Sequence, residues 1–388
     1  MPGDLTLPLP SGPARYRVPD PPAWSAATPT PAPRSRTAFA AAHVVADPGH
    51  EHRPGAPAHV DWEATLAFRH HLWSLGLGVA DAMDTAQRGA GLDWAGAREL
   101  IARSGAEAAA VGGRLACGAG TDHLPQGRHG LGAIRAAYEE QVAVVEEAGA
   151  QVVLMASRAL AGAANGPEEY AEVYGGILAQ TRDPVILHWL GTPFDPALAG
   201  YWGSPDLDEA TDHVVRLIHD HAPAIDGIKV SLLDAGREVA LRGRLPDGVR
   251  LYTGDDFHYP ELILGDDDGF SHALLGVFDP LARHAAVALH ALDEGRTDAY
   301  RSVLEPTVPL ARHLFAAPTY HYKTGVVFLA YLAGHQSHFT LLGGAEEHRS
   351  VAHLAELFRL AAEAGALPDP ELATERMRAF LAERGYPC

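Results

Sequence analysis

From about residue 36, short apolar runs alternate with helical stretches of ten or more residues, and this alternation constrains the fold more than any other feature. TAFAAAHVVADP, GVADAMDT, RLACGAG, AQVVLMA, DPVILHWL, IDGIKVSLL, VRLYTGDD and DGFSHALL read as eight strands. Helical periodicity begins at Asp61, Asp93, Leu131, after Pro167 and at Asp206. Such alternation builds right-handed βαβ units on a parallel sheet. Eight units over about 250 residues predict an α/β fold, the (β/α)8 TIM barrel. The rival, a doubly wound open sheet that binds a dinucleotide, would carry a Gly-rich phosphate loop after its first strand, and none is present. Residues 1–35 form a Pro-rich arm in which LTLPLP and ARYRV, around a Ser-Gly pair, predict a hairpin. Residues 36–295 then form the barrel, and 296–388 a helical C-terminal extension.

The charge excludes whole classes of partner. A formal net charge of −19 opposes binding to nucleic acid or to an anionic membrane surface. No run of eighteen apolar residues occurs, and the N-terminus lacks a signal-peptide pattern, so no membrane association is expected. The two cysteines, Cys117 and Cys388, are far apart, which implies no structural disulfide and a reducing cytoplasm.

Only two of the 30 basic residues are lysines, Lys229 and Lys323. Where a surface charge suffices, this chain uses arginine. Lysine differs in that it can lose its proton when desolvated and attack a carbonyl. Lys229 lies in DGIKVSLLD, an apolar stretch read as a buried strand. In a barrel of this type the active site lies at the carboxyl ends of the strands. The residues read there are polar: His43, Asp47, Asp84, Thr85, His188, Trp189, Lys229, Ser231, Asp255, Asp256, Ser271 and His272.

Four stretches together resemble the dihydrodipicolinate synthase and N-acetylneuraminate lyase superfamily, in a divergent branch of unknown function. GIKVS is similar to that family's lysine strand. YTGDDFHYPELILGDDDG is similar to its seventh strand and Gly-Asp-Asp loop. DPVILHWLGTP occupies the place of its fifth strand, and YHYKTGVVFLAYLAG that of a C-terminal helix in which Lys323 falls on a family lysine. The resemblance spans roughly residues 36–335. It implies a class I aldolase type of lyase in which Lys229 forms a Schiff base with a keto substrate, without a cofactor or metal, in a homodimer or homotetramer. It also places the family's carboxylate-binding Gly-Thr-Thr-Gly-Glu on DTAQR, where Thr85 is kept, Ala86 replaces the second threonine and Arg88 replaces the acid. The family's proton-relaying tyrosine falls on His188. The pyruvate clamp is therefore not reproduced.

Lys229 and His188 are thus the candidate catalytic residues, with His188 expected to titrate near neutrality as a general acid/base. Asp84, Thr85, Arg88, Trp189, Ser231, Asp255, Asp256 and His258 are candidate substrate-binding residues. The expected substrate is a small keto acid or keto sugar, and a set this rich in hydroxyl-binding groups suits a keto sugar or related polyhydroxy compound better than a bare oxo acid. Two other readings stand beside this one. A metal-dependent isomerase or class II aldolase could draw ligands from His43, His188, Asp255, His258 and His272, although none of these five is spaced as HxH or HExxH. An inactive barrel could serve as a ligand sensor, in which case Lys229 would be sealed from any pocket.

Overall fold

The computed structural model describes residues 4–26 and 31–386, so Cys388 and residues 27–30 of the arm lie outside the described residues. The N-terminal hairpin pairs β1 (Leu5–Leu9) with β2 (Gly12–Tyr16). The eight predicted strands follow as β3 (Ala38–Ala41), β4 (Gly78–Asp81), β5 (Leu115–Ala119), β6 (Gln151–Leu154), β7 (Val185–Leu190), β8 (Ile225–Ser231), β9 (Arg250–Thr253) and β10 (His272–Leu275). They close in the order β10-β3-β4-β5-β6-β7-β8-β9, every pair parallel. The chain is a TIM barrel with a helical C-terminal region.

The predicted helix starts hold because each has a physical cause. Asp61, Asp93 and Asp206 are N-caps whose carboxylates accept the otherwise unpaired N–H groups of Ala64, Gly96 and Asp208. Pro167 opens the helix Pro167–Leu178, where its missing N–H costs nothing.

Two apolar layers hold the barrel. Phe39, Met83, Val153, Ile186 and Leu274 fill its interior, while alternate residues of the same strands pack outward on the helices. One polar feature interrupts the outer layer. Asp81, at the end of β4, receives Arg69 Nε at 3.1 Å and Nη2 at 2.8 Å, and the Ser104 hydroxyl at 2.7 Å. Arg69 also donates to the carbonyls of His43 and Thr65. Both charged side chains are fully buried, and together they tie β3 and β4 to the helices Trp62–Ser74 and Trp94–Val111.

The hairpin packs on the C-terminal extension. Leu5 and Leu7 are buried, Tyr16 meets Phe358 edge-on, and the Tyr16 hydroxyl donates to the Arg359 carbonyl in the helix Val351–Ala364. Among the described residues no helix is long and apolar enough to cross a membrane. Cys117 is buried and unpaired on β5.

Removing one partner of a buried ion pair strands the other charge. Arg69→Met is expected to cost about 3–5 kcal/mol of stability, read from the urea unfolding midpoint. A loss below about 1 kcal/mol, the level of a surface pair, would contradict this role.

Candidate active site

Side chains alternate across a strand, and this parity decides what β8 offers. Ile228 and Val230 belong to the outer apolar layer, whereas Lys229 and Ser231 line a cavity inside the barrel. In the ladder Lys229 lies opposite His188 of β7 and Tyr252 of β9. The Gly254 backbone passes directly beneath: a Cβ there would lie 2.8 Å from Lys229 Cε, 2.9 Å from the Val230 carbonyl, and closer still to Ser231 Oγ. The glycine of Gly-Asp-Asp is thus the space that the lysine occupies.

The cavity is lined by Asp84, Thr85, Leu190, Phe194, Lys229, Ser231, Asp256 and Tyr322, among others. Its volume is about 10 Å³, close to what one water needs. Burial lowers the Lys229 pKa, and the carboxylates of Asp84 and Asp256 oppose that shift. Burial pushes Asp256 up to about 7, although the Val277 N–H donates to it at 2.8 Å and Lys229 lies nearby. Burial thus moves the amine down and the carboxyl up, drawing the two pKa values toward each other.

His188 does not behave as its type suggests. Its side chain is wholly buried, Nε2 lies 3.2 Å from Ser231 Oγ, and Nδ1 has no partner among the described residues. Burial, with Lys229 alongside, holds its pKa well below the usual histidine range. The expectation of a group titrating near neutrality is therefore corrected: His188 is a neutral imidazole, and Asp256 is the group placed to titrate near pH 7.

Four of the candidate substrate ligands are not in the cavity. Trp189, adjacent to His188, points the opposite way by parity and packs edge-on against Trp202 in the outer layer. Asp255 is consumed locally: Oδ1 accepts the N–H groups of Phe257 and His258, and Oδ2 lies 3.0 Å from His258 Nδ1. That turn occupies His258 as well. Arg88 lines two neighbouring cavities, but its guanidinium is saturated by Asp122, Gln141 and the carbonyls of Ala82 and Gly118. It knits the ends of β4 and β5 together rather than offering a free anion clamp.

The remaining strand-end candidates also disperse. Ser271 and His272 lie at the start of β10, not its end, so His272 is at the opposite mouth, where Nδ1 accepts the Thr37 N–H. Ser271 donates to Glu238. His43 is buried against Asp279 at 2.7 Å, and Asp47 closes a turn with Gly49 and His50. The five residues of the metal reading therefore do not converge, and the described residues contain no cluster of three or more His, Cys, Asp or Glu able to hold a metal ion.

Two larger cavities flank the lysine. One, of about 420 Å³, is lined by Thr121, Asp122, Ser157, His188 and Leu190; the other, of about 380 Å³, by Arg158, Phe194, Asp195, His321 and Lys323. Both are of ligand size. Asp84 lines all three cavities, and Lys229 lines the small one. The residue that sequence reasoning missed is Tyr322, whose hydroxyl is 2.9 Å from Thr85 Oγ1. It comes from the helix Tyr322–Leu332, far along the chain, and its only sequence signal was adjacency to Lys323.

Gly254→Ala is expected to destabilise the fold by about 1–3 kcal/mol through overpacking and to displace Lys229. Thermal unfolding and the crystal structure of the variant check both. An unshifted lysine would show that the glycine does not reserve its space.

Solved structures with a similar fold include dihydrodipicolinate synthase from Thermotoga maritima, with a TM-score of 0.64 and 17% identity over 86% of this chain and 99% of the other. The enzyme from Bacteroides thetaiotaomicron matches with a TM-score of 0.64 and 14% identity over 84% and 99%. A prophage protein of the dihydrodipicolinic acid synthase family from E. coli K12, solved in complex with pyruvate, matches with a TM-score of 0.62 and 15% identity over 90% and 98%. At such identities the likeness is one of fold, and it is the fold that the sequence resemblance implied. No curated protein matches the chain in sequence. A family model described as "Protein of unknown function (DUF993)" matches residues 5–386, and the chain belongs to that family, a divergent branch on the dihydrodipicolinate synthase fold.

Proposed function

We propose that the protein is an imine-forming carbon–carbon lyase or aldolase of a small keto compound, with Lys229 as the nucleophile. The observation that carries this reading is a buried amine, depressed in pKa, that shares a cavity with Asp84, Thr85, Ser231, Asp256 and Tyr322. The Lys229 Nζ lone pair attacks the substrate carbonyl, and water leaves to give a protonated imine. The bond between the carbons α and β to the imine carbon then breaks, its electron pair passing into an enamine. The hydroxyl proton of the departing carbon goes to Asp256, and that carbon leaves as an aldehyde. Reprotonation of the enamine and attack by water release the ketone and free the lysine. Condensation runs the same steps in reverse.

The polar groups Thr121, Ser157 and Asp84 around the neighbouring cavities support a hydroxyl-bearing substrate such as a keto sugar or sugar acid. Ala86, fully buried where the resemblance expects a carboxylate-binding threonine, argues against pyruvate as a default substrate, although one structural neighbour was solved with it. The family resemblance of the sequence implies a homodimer or homotetramer, and the buried free thiol of Cys117 suits a reducing cytoplasm.

Borohydride reduction in the presence of a panel of keto acids and keto sugars is expected to leave a substrate-sized adduct on Lys229, and none in Lys229→Arg. Cleavage is expected to rise with pH through about 7, as Asp256 loses its proton and becomes able to accept one. Asp256→Asn is expected to keep the adduct but lose about 10²–10⁴-fold in cleavage rate. Absence of any adduct, or an adduct on another residue, would overturn the assignment.

A further inference from the structure

Both lysines of this lysine-poor chain face the same carboxylate. Asp84 lines the small cavity of Lys229 and also the 380 Å³ cavity that Lys323 lines. Asp84 is the leading carboxylate acting on each amine. The charge of one acid thus reaches both lysines, the first on a barrel strand and the second on the helix Tyr322–Leu332.

Lys323 is poorly satisfied where it stands. Its half-buried ammonium makes one long hydrogen bond of 3.4 Å, to the Tyr320 carbonyl, and lies 5.0 Å from the Tyr322 ring. No carboxylate among the described residues lies within ion-pairing distance of it. An ammonium has three donors, and one held partly out of water with weak partners is stabilised by any anionic oxygen that enters. Burial lowers its pKa, in keeping with a missing counter-ion. A second cation faces the same space: Arg158 engages Asp195 through Nε at 2.6 Å, and the rest of its fork has no partner among the described residues. His321 and His348, stacked at 4.5 Å, close the outer side. Phe194 lines both this cavity and that of Lys229, so the two are neighbours across one aromatic ring.

We infer that the cavity at Lys323 is a subsite for an anionic end group of the substrate, a carboxylate or a phosphate, bound by Lys323 and Arg158 while the carbonyl reaches Lys229. This rests on the imine-forming reading of Lys229 and narrows it, from keto compounds in general to those whose far end carries an anionic oxygen cluster. Asp84, acting on both amines, is left to hold hydroxyls along the chain of the substrate.

Equilibrium dialysis of the full chain with radiolabelled inorganic phosphate and, separately, acetate tests this without requiring any imine. One saturable site is expected for at least one of the two anions. Affinity should fall roughly tenfold or more in Lys323→Gln and in Arg158→Gln, be largely kept in Lys323→Arg, and be unchanged in Lys229→Arg. Binding of phosphate alone identifies a phosphorylated substrate, and binding of acetate alone a terminal carboxylate. Should Lys323→Gln fail to fold, Arg158→Gln, altered at an exposed side chain, gives the same reading. No saturable binding of either anion, or binding equal in wild type and both glutamine variants, overturns the subsite. Because Lys229→Arg retains it, loss of the borohydride adduct and loss of the subsite are separate failures.

Discussion

The site depends on one constraint, a primary amine placed inside a closed β-barrel. Low-dielectric surroundings disfavour the ammonium form, and the barrel interior offers Lys229 only carboxylates that oppose the shift without abolishing it. The geometry around it follows. Parity sends Val230 to the helices and Lys229 and Ser231 inward. Gly254 must lack a side chain, and His188, beside the amine and without a carboxylate partner, stays neutral. Burial acts on Asp256 in the opposite sense, raising its pKa to about 7 although Lys229 pulls it down.

A barrel alone would not complete this site. The loop after β4 is fastened to the C-terminal extension by Gln87, which donates to the Leu342 carbonyl and accepts from its N–H. That docking sets Tyr322 against Thr85 and brings Lys323 to a cavity that Asp84 also lines. The extension therefore contributes walls and polar groups to the chemistry as well as buried apolar area. The N-terminal hairpin packs on one of its helices in turn, so the chain's two ends support each other.

Much of this was legible in the sequence. The eight strands, the hairpin and the capped helix starts at Asp61, Asp93 and Asp206 were visible because each rests on a local pattern: apolar run, turn pair or N-cap. The lysine stood out because arginine had replaced it almost everywhere else. Sequence reading failed where direction or distance decides. Trp189 looked available because it adjoins His188, yet one residue along a strand is the opposite face. Ser271 and His272 stand at the start of their strand, because the polar pair precedes the apolar run and does not follow it. Asp255 and His258 were read as facing a ligand, whereas a carboxylate two and three residues ahead of free N–H groups closes a turn. Tyr322 is invisible in the sequence because its partner Thr85 is remote along the chain, and the pKa near neutrality falls on Asp256 and not on His188 because burial, not residue type, sets it.

With two lysines in the whole chain, labelling lysine with ¹³C at the ε-carbon gives two side-chain signals, assigned by Lys229→Arg. A pH titration of the Lys229 signal in the unliganded protein measures the property on which the account rests. The account predicts a midpoint below the ordinary lysine value of about 10.4, with a further drop when Asp84→Asn removes an opposing charge. A midpoint at or above the ordinary value would identify Lys229 as a structural ammonium held by its carboxylates and would contradict the account.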